Sequence, residues 1–323
     1  MNKYYIIYRN ATDTGFFSNF FHILGHILIA NTKGLIPVVD MKSYPTVYNE
    51  NNSVLGTMNS WEYYFQPLAG EDIDDVYASG DYVMCDGEFK HFTYELCSKN
   101  SKVITALIEK YIRPKDYIME AVNGYISSNF KGKRILGVHF RGWEMAVAPG
   151  HPKPPTYEQL LDRIYMAMGI YPVDKIYLVT EQSDYVDMLK KEFGDKLIYY
   201  PDYYRTPYKV NAYKMYPEPR ENHKYLLGKE VLIDTLILSR ADYLICGGHP
   251  KYTNLSGSNV ATAAIVMNNN NYKYVDFIYN GINEGSKDSA IYRGKAQKAW
   301  QEGKILSAVQ LYRKYLTRKI KGK

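Results

Sequence analysis

The chain has 323 residues, a length typical of two domains, and its hydrophobic content of 46% is enough to form two ordinary cores. Its formal net charge is +6, which suits an anionic small ligand or an anionic surface, and no nucleic-acid-binding motif accompanies that charge. The three cysteines have no CxxC pair and no metal-ligand spacing, and we find neither a signal peptide nor an apolar run of roughly 18 residues. These features argue against disulfide-rich, nucleic-acid-binding and membrane-spanning classes, and they predict a cytoplasmic protein with reduced thiols.

The first half of the chain begins with a strand, a turn and a helix. Residues 3–9 are rich in β-forming side chains, residues 10–15 are a turn cluster, and residues 16–30 have apolar side chains at helical spacing. The N-terminus of such a helix can bind an anion, but an ordinary turn between a strand and a helix gives the same pattern. The other elements predicted for this half are a strand over 35–40, a helix beginning within 61–65 and one or two helices over 103–130.

The second half alternates more regularly between strands and helices. Strands are predicted over 135–140, 175–180, 197–200 and 242–246. Helices are predicted over 156–171, 184–193 and 228–239, and the pattern of Thr156 and Gln159 resembles a capping box at the start of the first of them. Residues 259–267 fit a helix or a strand, and we favour a helix that starts at Gly257. This alternation predicts a doubly wound parallel sheet, and we expect the first half to form another. Residues 202–223 form a long loop rich in Pro and Tyr, and loops of that length are often functional.

Polar side chains stand where the predicted strands of the second half end. His139 and Arg141 are spaced two apart after an apolar run, so they point to the same side of the chain. Arginine offers a planar fork of donors for a phosphate, and histidine can hydrogen-bond a base or an oxyanion. A solvated charged turn is the alternative interpretation. Because the carboxyl ends of parallel strands gather at one crevice, Thr180-Glu181 and Gly247-Gly248-His249 are expected to lie near this pair.

Asp234 lies inside an otherwise apolar helical stretch. A buried carboxylate is costly unless it is paired, so this residue is expected to have either a partner or a ligand. An ion pair or a capping role would satisfy it as well as a ligand.

Three motifs of the second half together resemble a known family. They are GVHFRG at 137–142, IYLVTEQSD at 176–184 and EVLIDTLILSRADYLICGGHPKYTN at 230–254. In this order and spacing they look like the nucleotide-binding half of the superfamily of α-1,6-fucosyltransferases, nodulation fucosyltransferases and protein O-fucosyltransferases. The segment over 14–40 is similar to that superfamily's first glycine-containing loop, helix and strand. The resemblance implies a GT-B fold of two facing Rossmann-like, doubly wound domains with a GDP-sugar in the cleft, no metal and no other cofactor.

The sequence places the domain boundary near residues 129–133 and indicates a basic helical extension over 286–323. With the resemblance, this predicts an acceptor-side domain over 1–130 and a nucleotide-sugar domain over 131–285. By the same resemblance, His139 matches a histidine on the guanine and phosphate side, Arg141 matches the diphosphate-binding arginine, and Asp234 matches an aspartate that binds the N–H groups of guanine. The loop of Gly15, Phe16, Phe17 and Ser18 matches a loop whose backbone N–H groups face the phosphates. The remaining donor-binding residues expected at the last strand end are Gly248, His249, Lys251 and Thr253.

The chain departs from the family pattern at three places. The family's second arginine is Gly142 here, the aspartate after the position of Thr180 is Glu181, and a serine pair is replaced by His249-Pro250. These departures affect the identity of the sugar more than that of the nucleotide.

The resulting hypothesis is a metal-independent, inverting fucosyltransferase of polysaccharide biosynthesis that moves fucose from GDP-fucose to a hydroxyl of a glycan acceptor. Arg141 and the backbone amides of residues 15–18 would stabilise the departing GDP, with Lys251 as a further candidate. Glu144 is the candidate base, although it stands two residues out of register with the family's carboxylate and a surface role fits it equally; Asp13 and Asp40 come next. A transferase for another GDP-sugar, or a non-catalytic protein that binds a nucleotide sugar or a glycan, remains an alternative.

The tail over 286–323 combines apolar side chains at helical spacing with many Lys and Arg residues. Such a segment can tether a cytoplasmic enzyme to a protein partner or to the inner membrane face, where lipid-linked acceptors lie. It can equally form a helix pair that packs on the body of the protein.

Overall fold

The structure is a computed structural model that describes residues 3–11, 14–87, 101–141, 153–207, 220–248 and 258–281. The predicted tail over 286–323 therefore lies outside the described residues. None of the helices in the described ranges is long and apolar enough to cross a membrane.

The first half forms three strands and four helices within the described residues. They are β1 (Tyr4–Ile7), α1 (Phe16–Thr32), β2 (Ile36–Val39), α2 (Ile73–Ser79), β3 (Tyr82–Met84), α3 (Ser101–Tyr111) and α4 (Asp116–Asn129). The strands form a parallel sheet in the order β2-β1-β3, in which Ile6 of β1 pairs with Val38 on one side and Met84 on the other.

The prediction of a helix that begins within 61–65 is wrong. Only a turn forms there, in which the N–H groups of Tyr64 and Phe65 both bond the Trp61 carbonyl. The chain then runs extended, since the Gln66 N–H donates to the Arg113 carbonyl at 2.8 Å. Pro67 explains this, because a proline disfavours the helical conformation of the residue before it.

The second half follows the predicted alternation. Its elements are β4 (Ile135–His139), α5 (Tyr157–Ile170), β5 (Lys175–Val179), α6 (Ser183–Phe193), β6 (Leu197–Ile198), α7 (His223–Leu238), β7 (Tyr243–Gly247), α8 (Asn259–Met267) and β8 (Tyr274–Ile278). The capping box of Thr156 and Gln159 is confirmed at the start of α5. The sequence did not indicate β8.

The second sheet is parallel throughout, with the strand order β6-β5-β4-β7-β8. The chain moves outward from β4 to β6 and then returns to place β7 on the other side of β4. In a doubly wound sheet, ligands bind in the crevice at this reversal of strand order, outside the carboxyl ends of the strands. The predicted parallel α/β architecture is confirmed, and the site is expected beyond β4 and β7.

Helix α7 lies close against one face of this sheet. At Gly137 of β4, an added Cβ would stand 2.6 Å from Leu238 Cδ1 of α7 and 3.3 Å from the Tyr243 carbonyl oxygen. A side chain there would have to displace the Leu238 side chain, so β4 and α7 pack closely at this point. The same face of β4 also carries Ile135 and His139, because side chains alternate along a strand.

The two halves share contacts at the start of α7. The Tyr64 hydroxyl donates to the Tyr225 carbonyl at 3.1 Å, and the Tyr225 N–H donates to Glu50 Oε1 at 2.9 Å. Buried apolar residues of both halves form one continuous core, to which α4 contributes Ile118 and Val122 beside α7. The boundary between residues 130 and 131 and the facing arrangement of two domains stay predictions.

We expect Gly228→Ala to destabilise the protein by about 1–3 kcal/mol, because overpacking a tight interface forces its neighbours apart. A Cβ at Gly228 would overlap the Tyr64 hydroxyl and lie 3.0 Å from Tyr48 Cδ1. Urea unfolding of both variants measures the effect. The matched control is Gly124→Ala on the exposed side of α4, where no atom lies within 4 Å of the new Cβ. It should raise the free energy of unfolding by about 0.5–1 kcal/mol, and equal effects of the two variants would contradict the packing argument.

Candidate functional site

His139 and Arg141 lie at the carboxyl end of β4, where the strand order reverses. His139 is 5% exposed, and its Nδ1 atom has no hydrogen-bond partner among the described residues. The buried Nε of Arg141 likewise has no partner in this part of the chain. Burial, and then the neighbouring Arg141 cation, lower the pKa of His139 to about 3. His139 is therefore neutral at physiological pH, and the positive charge of the pair belongs to Arg141.

Asp234 projects from α7 toward β5 and is completely buried. Its Oδ1 accepts a hydrogen bond from the Tyr177 hydroxyl, whereas its Oδ2 has no partner among the described residues. Burial raises the pKa of Asp234 from 3.8 to about 7, against the opposing effects of the Arg205 cation and the Tyr177 hydrogen bond. The carboxyl group therefore titrates near neutral pH and has one oxygen available for a ligand.

Arg205 is a site residue that the sequence did not reveal. The segment after β6 lies alongside the end of β5, because the Thr206 N–H donates to the Glu181 carbonyl and the Ser183 N–H donates to the Thr206 carbonyl. Arg205 Nη1 donates to the carbonyls of Tyr200 and Tyr203 at 3.0 and 3.2 Å. Its Nε and Nη2 atoms are buried without a partner in the described ranges.

Glu181 and Tyr203 connect these groups. Burial raises the pKa of Tyr203 well above its usual range, and the next contributions come from the carboxylates of Glu181 and Asp234. Glu181 Oε1 is buried and has no partner among the residues that the structure describes. The end of β5, the segment after β6 and the middle of α7 therefore converge on one polar cluster.

Glu230, one turn before Asp234 on α7, has a different role. Its Oε1 is paired with Arg220 Nη1 at 2.5 Å, and its Oε2 accepts the Tyr204 N–H at 3.0 Å. Both oxygens of Glu230 are used within the protein, so this carboxylate supports the loop rather than a ligand.

At the start of α1, some of the backbone N–H groups predicted to face a phosphate already donate hydrogen bonds within the protein. The Phe16 N–H donates to the Tyr48 hydroxyl at 2.7 Å, and the Ser18 N–H donates to the Gly15 carbonyl at 3.0 Å. The aromatic rings of Phe16 and Phe17 are buried in the core. No hydrogen bond between described residues joins this loop to His139 or Arg141. A contact between the 15–18 amides and a phosphate stays a prediction. Only the amides of this loop that are not already bonded within the protein could make it.

The other predicted site residues divide into described and undescribed positions. Gly248 is buried and its N–H donates to the Ile278 carbonyl of β8 at 2.9 Å. Asp40 has both carboxylate oxygens engaged, by the N–H groups of Lys42 and Ser43 and by the Tyr77 hydroxyl. The predicted site residues outside the described ranges are Asp13, Glu144, His249, Lys251 and Thr253.

The cluster at the carboxyl edge offers both kinds of hydrogen-bonding atom. Donors come from Arg141 and Arg205, acceptors from Asp234 and Glu181, and His139 can serve as either. A buried polar group without a partner costs about 1–3 kcal/mol, so five such residues in one region indicate a polar ligand. That ligand should present N–H groups as well as anionic oxygens.

These features define an α/β protein with two parallel sheets and a cluster of buried polar side chains at the switch point of the larger sheet. The fold is that of the fucosyltransferase NodZ from Bradyrhizobium, with a TM-score of 0.50 at 16% identity over 82% of this chain and 93% of that one. NodZ soaked with GDP-fucose superposes with a TM-score of 0.48 at 18% identity over 82% and 92% of the two chains. POFUT1 in complex with GDP gives 0.47 at 13% identity over 86% and 98%.

No protein-family model matches the chain, and neither does any curated protein. The fold comparison with NodZ nevertheless confirms the fold that the motifs implied, because the chain is α/β with parallel sheets and is consistent with GT-B.

Proposed function

We propose that this protein is an inverting, metal-independent glycosyltransferase that moves fucose from GDP-fucose to a hydroxyl of a glycan acceptor. The observation that carries the proposal is the set of buried, unpartnered polar atoms of His139, Arg141 and Asp234 at the switch point of the larger sheet. The fold adds support, because NodZ is a fucosyltransferase.

Asp234 is suited to bind guanine. The N1–H and exocyclic amino group of guanine are donors, and Oδ2 of Asp234 is a buried acceptor without a partner among the described residues. Arg205 opposes the effect of burial on Asp234 and so favours the ionised carboxylate that guanine requires. Cytosine and uracil lack this pair of adjacent donors.

Arg141 is suited to bind the diphosphate. In the transfer step, the acceptor hydroxyl oxygen forms a bond to the anomeric carbon while the bond from that carbon to the β-phosphate oxygen breaks. Negative charge then accumulates on the departing GDP, and a preorganised cation stabilises it. His139 adds a hydrogen bond without a charge, since its low pKa keeps it neutral. The hydroxyl proton goes to a carboxylate, for which Glu144 remains our candidate.

Two alternatives share the nucleotide site. A transferase for another GDP-sugar would use the same guanine and diphosphate contacts. A non-catalytic protein would bind the nucleotide sugar without releasing GDP. For the proposed fucosyltransferase and for both alternatives, we also propose that the protein lies on the cytoplasmic side. In each case the 286–323 tail would contact a membrane or a protein partner.

We expect GDP to stabilise the folded protein and UDP and CDP to leave it unchanged. A ligand at about 100 times its Kd stabilises the folded state by about 2.7 kcal/mol. A thermal-shift panel of the three nucleotides measures this directly. Equal shifts from GDP and UDP would contradict the guanine assignment.

Release of GDP from GDP-fucose, with and without candidate glycans, separates the enzyme from the binding protein. The assay is run after brief EDTA treatment and again with Mg²⁺ or Mn²⁺, and the rates are expected to agree. A rate that vanishes in EDTA and returns with Mn²⁺ would reject the metal-independent mechanism. GDP-mannose in place of GDP-fucose tests the sugar.

A further inference from the structure

A separate cluster of two histidines and a cysteine, residue types that often bind metals, lies in the first half of the chain, away from the strand ends of the larger sheet. His22 and His26 are one turn apart on α1, and Cys85 directly follows β3. Their ligand atoms lie within 4.8 Å of one another, and all three residues are buried. The sequence analysis did not predict a metal site here, because Cys85 is remote from both histidines along the chain.

Both imidazole rings are held by a hydrogen bond to an oxygen atom. His22 Nε2 lies 2.8 Å from the Tyr8 carbonyl, and His26 Nδ1 lies 3.0 Å from the Tyr5 hydroxyl. Because a carbonyl only accepts, Nε2 of His22 carries the hydrogen and Nδ1 carries the lone pair. Histidine ligands of metals are typically oriented in this way, by a bond from the ring nitrogen that does not touch the metal.

The sulfur of Cys85 is surrounded by donors. The N–H groups of Tyr8 and Gly87 point at Sγ from 3.4 and 3.3 Å. Gly87 has a φ of +66°, a left-handed conformation that favours glycine and directs its amide at the sulfur. Burial raises the pKa of the Cys85 thiol, and the two N–H donors oppose that effect by favouring the thiolate, the form of cysteine that binds metals. The thiol proton, which now reaches the Tyr8 carbonyl at 3.3 Å, is the one that a metal would displace.

A carboxylate stands beside this group. Asp86 Oδ1 lies 3.7 Å from His26 Nε2, and the Asp86 side chain is 54% exposed. Tetrahedral zinc spaces its ligand atoms about 3.3–3.8 Å apart, so the three buried ligand atoms would have to approach one another by about an ångström. The exposed Asp86 side chain, which lies near His26 alone, would have to turn toward the other two.

We propose that His22, His26, Cys85 and Asp86 bind one Zn²⁺ in a structural site that joins α1 to the end of β3. One thiolate, two imidazoles and a carboxylate suit zinc, whereas Mg²⁺ and Mn²⁺ prefer sites made of oxygen atoms. The site is independent of the proposed transfer reaction, and it explains why polar side chains occur in the buried face of α1.

The test uses the full chain, purified without chelator and under reducing conditions. We expect about one zinc per chain by elemental analysis, since structural sites are fully occupied. After zinc is replaced by Co²⁺, a thiolate-to-cobalt charge-transfer band should appear in the near ultraviolet, with visible bands of tetrahedral Co²⁺. Cys85→Ser should remove the charge-transfer band and lower the zinc content at least about tenfold. The matched control is Cys246→Ser, since Cys246 is equally buried but lies in β7 of the other sheet; this variant should keep both signals.

Folded wild-type protein that holds no zinc and shows no cobalt–thiolate band would overturn the proposal, and the cluster would then be a hydrogen-bonded part of the core. Zinc that stays in folded Cys85→Ser would also overturn it. Because the first result is measured on the wild type, a variant that fails to fold does not prevent a decision. Neither readout depends on GDP or on transfer, so a failure here is distinguishable from a failure of the proposed function.

Discussion

Arg141→Ala is expected to lower the rate of sugar transfer by about 10²–10³, the usual cost of removing one group that stabilises developing negative charge. Arg141 is placed for this role by the end of β4, and its Nε is buried without a partner among the described residues. The lost cation should affect the turnover number more than the GDP affinity, because charge on the diphosphate increases as the glycosidic bond breaks. Rates of GDP release under saturating donor measure this effect.

Two further variants define what the guanidinium supplies. Arg141→Lys should recover only part of the rate, because lysine keeps the charge but lacks the planar fork of donors. Arg163→Ala serves as the matched control, since Arg163 is an exposed arginine of α5 paired with Asp276; its rate should equal that of the wild type. A normal rate in folded Arg141→Ala protein would show that the HFRG motif is structural.

Asp234→Asn is expected to weaken GDP binding by about 100-fold, since hydrogen bonds to a charged group contribute about 1.5–3 kcal/mol each. Asparagine can still accept the hydrogen bond of the Tyr177 hydroxyl. Its NH₂ group takes the place of Oδ2, and because that group is a donor it cannot accept a hydrogen bond from guanine. Isothermal titration with GDP measures the loss, and Asp174→Asn, which removes an exposed carboxylate paired with Arg134, should bind GDP normally. Unchanged affinity in Asp234→Asn would remove this residue from the guanine site.

Although Asp234→Asn should weaken GDP binding, it should raise the free energy of unfolding at neutral and higher pH. The pKa of Asp234 is about 7 in the folded protein and near 3.8 when the chain is unfolded. Between these values the unfolded chain has lost a proton that the folded chain keeps, so this residue lowers the free energy of unfolding as pH rises from about 4 to 7. Above pH 7 its contribution is constant. Urea unfolding at pH 5 and pH 8 should therefore show Asp234→Asn gaining stability relative to the wild type at the higher pH.

Donor affinity should rise over that same interval in the wild type. Guanine needs the ionised carboxylate, whose fraction increases up to the pKa near 7 and changes little beyond it. GDP-fucose is the better probe than GDP, because its diphosphate does not titrate there. An affinity that does not change between pH 5.5 and 8 would mean that Asp234 is not the titrating group.

Strong periodicity made most of the fold predictable from the sequence. The four helices α5 to α8 and the strands β4, β5 and β7 were predicted from their apolar patterns, and α1 begins at the residue expected. Helix α7 begins at His223, five residues before its predicted start. The elements that were missed, α2, β3 and β8, are short or half-exposed, so their pattern is weak. The segment at 61–65 was misread because its aromatic residues are buried on all sides of a turn, which gives no helical stripe.

The candidate site was predictable where residues stand at strand ends and unpredictable where tertiary pairing places them. His139 and Arg141 end β4, and Asp234 interrupts an apolar helix, so each left a local signal in the sequence. Arg205 lies in a loop without periodicity, and the backbone bonds of Thr206 to Glu181 and Ser183, just after β5, bring it into the cluster. The histidines of α1 and Cys85 likewise meet only because β1 and β3 are neighbours in the first sheet.

The contacts at the start of α7 have a consequence for how the molecule responds to its ligand. Tyr64 bonds the Tyr225 backbone, and Tyr48, which packs on Gly228, also holds the first amide of α1. Neither half can unfold without exposing buried surface of the other half, so we expect the chain to unfold in one cooperative transition. A nucleotide held by the second half alone would then slow amide hydrogen exchange in α1 as well, because exchange there requires the opening that the ligand opposes.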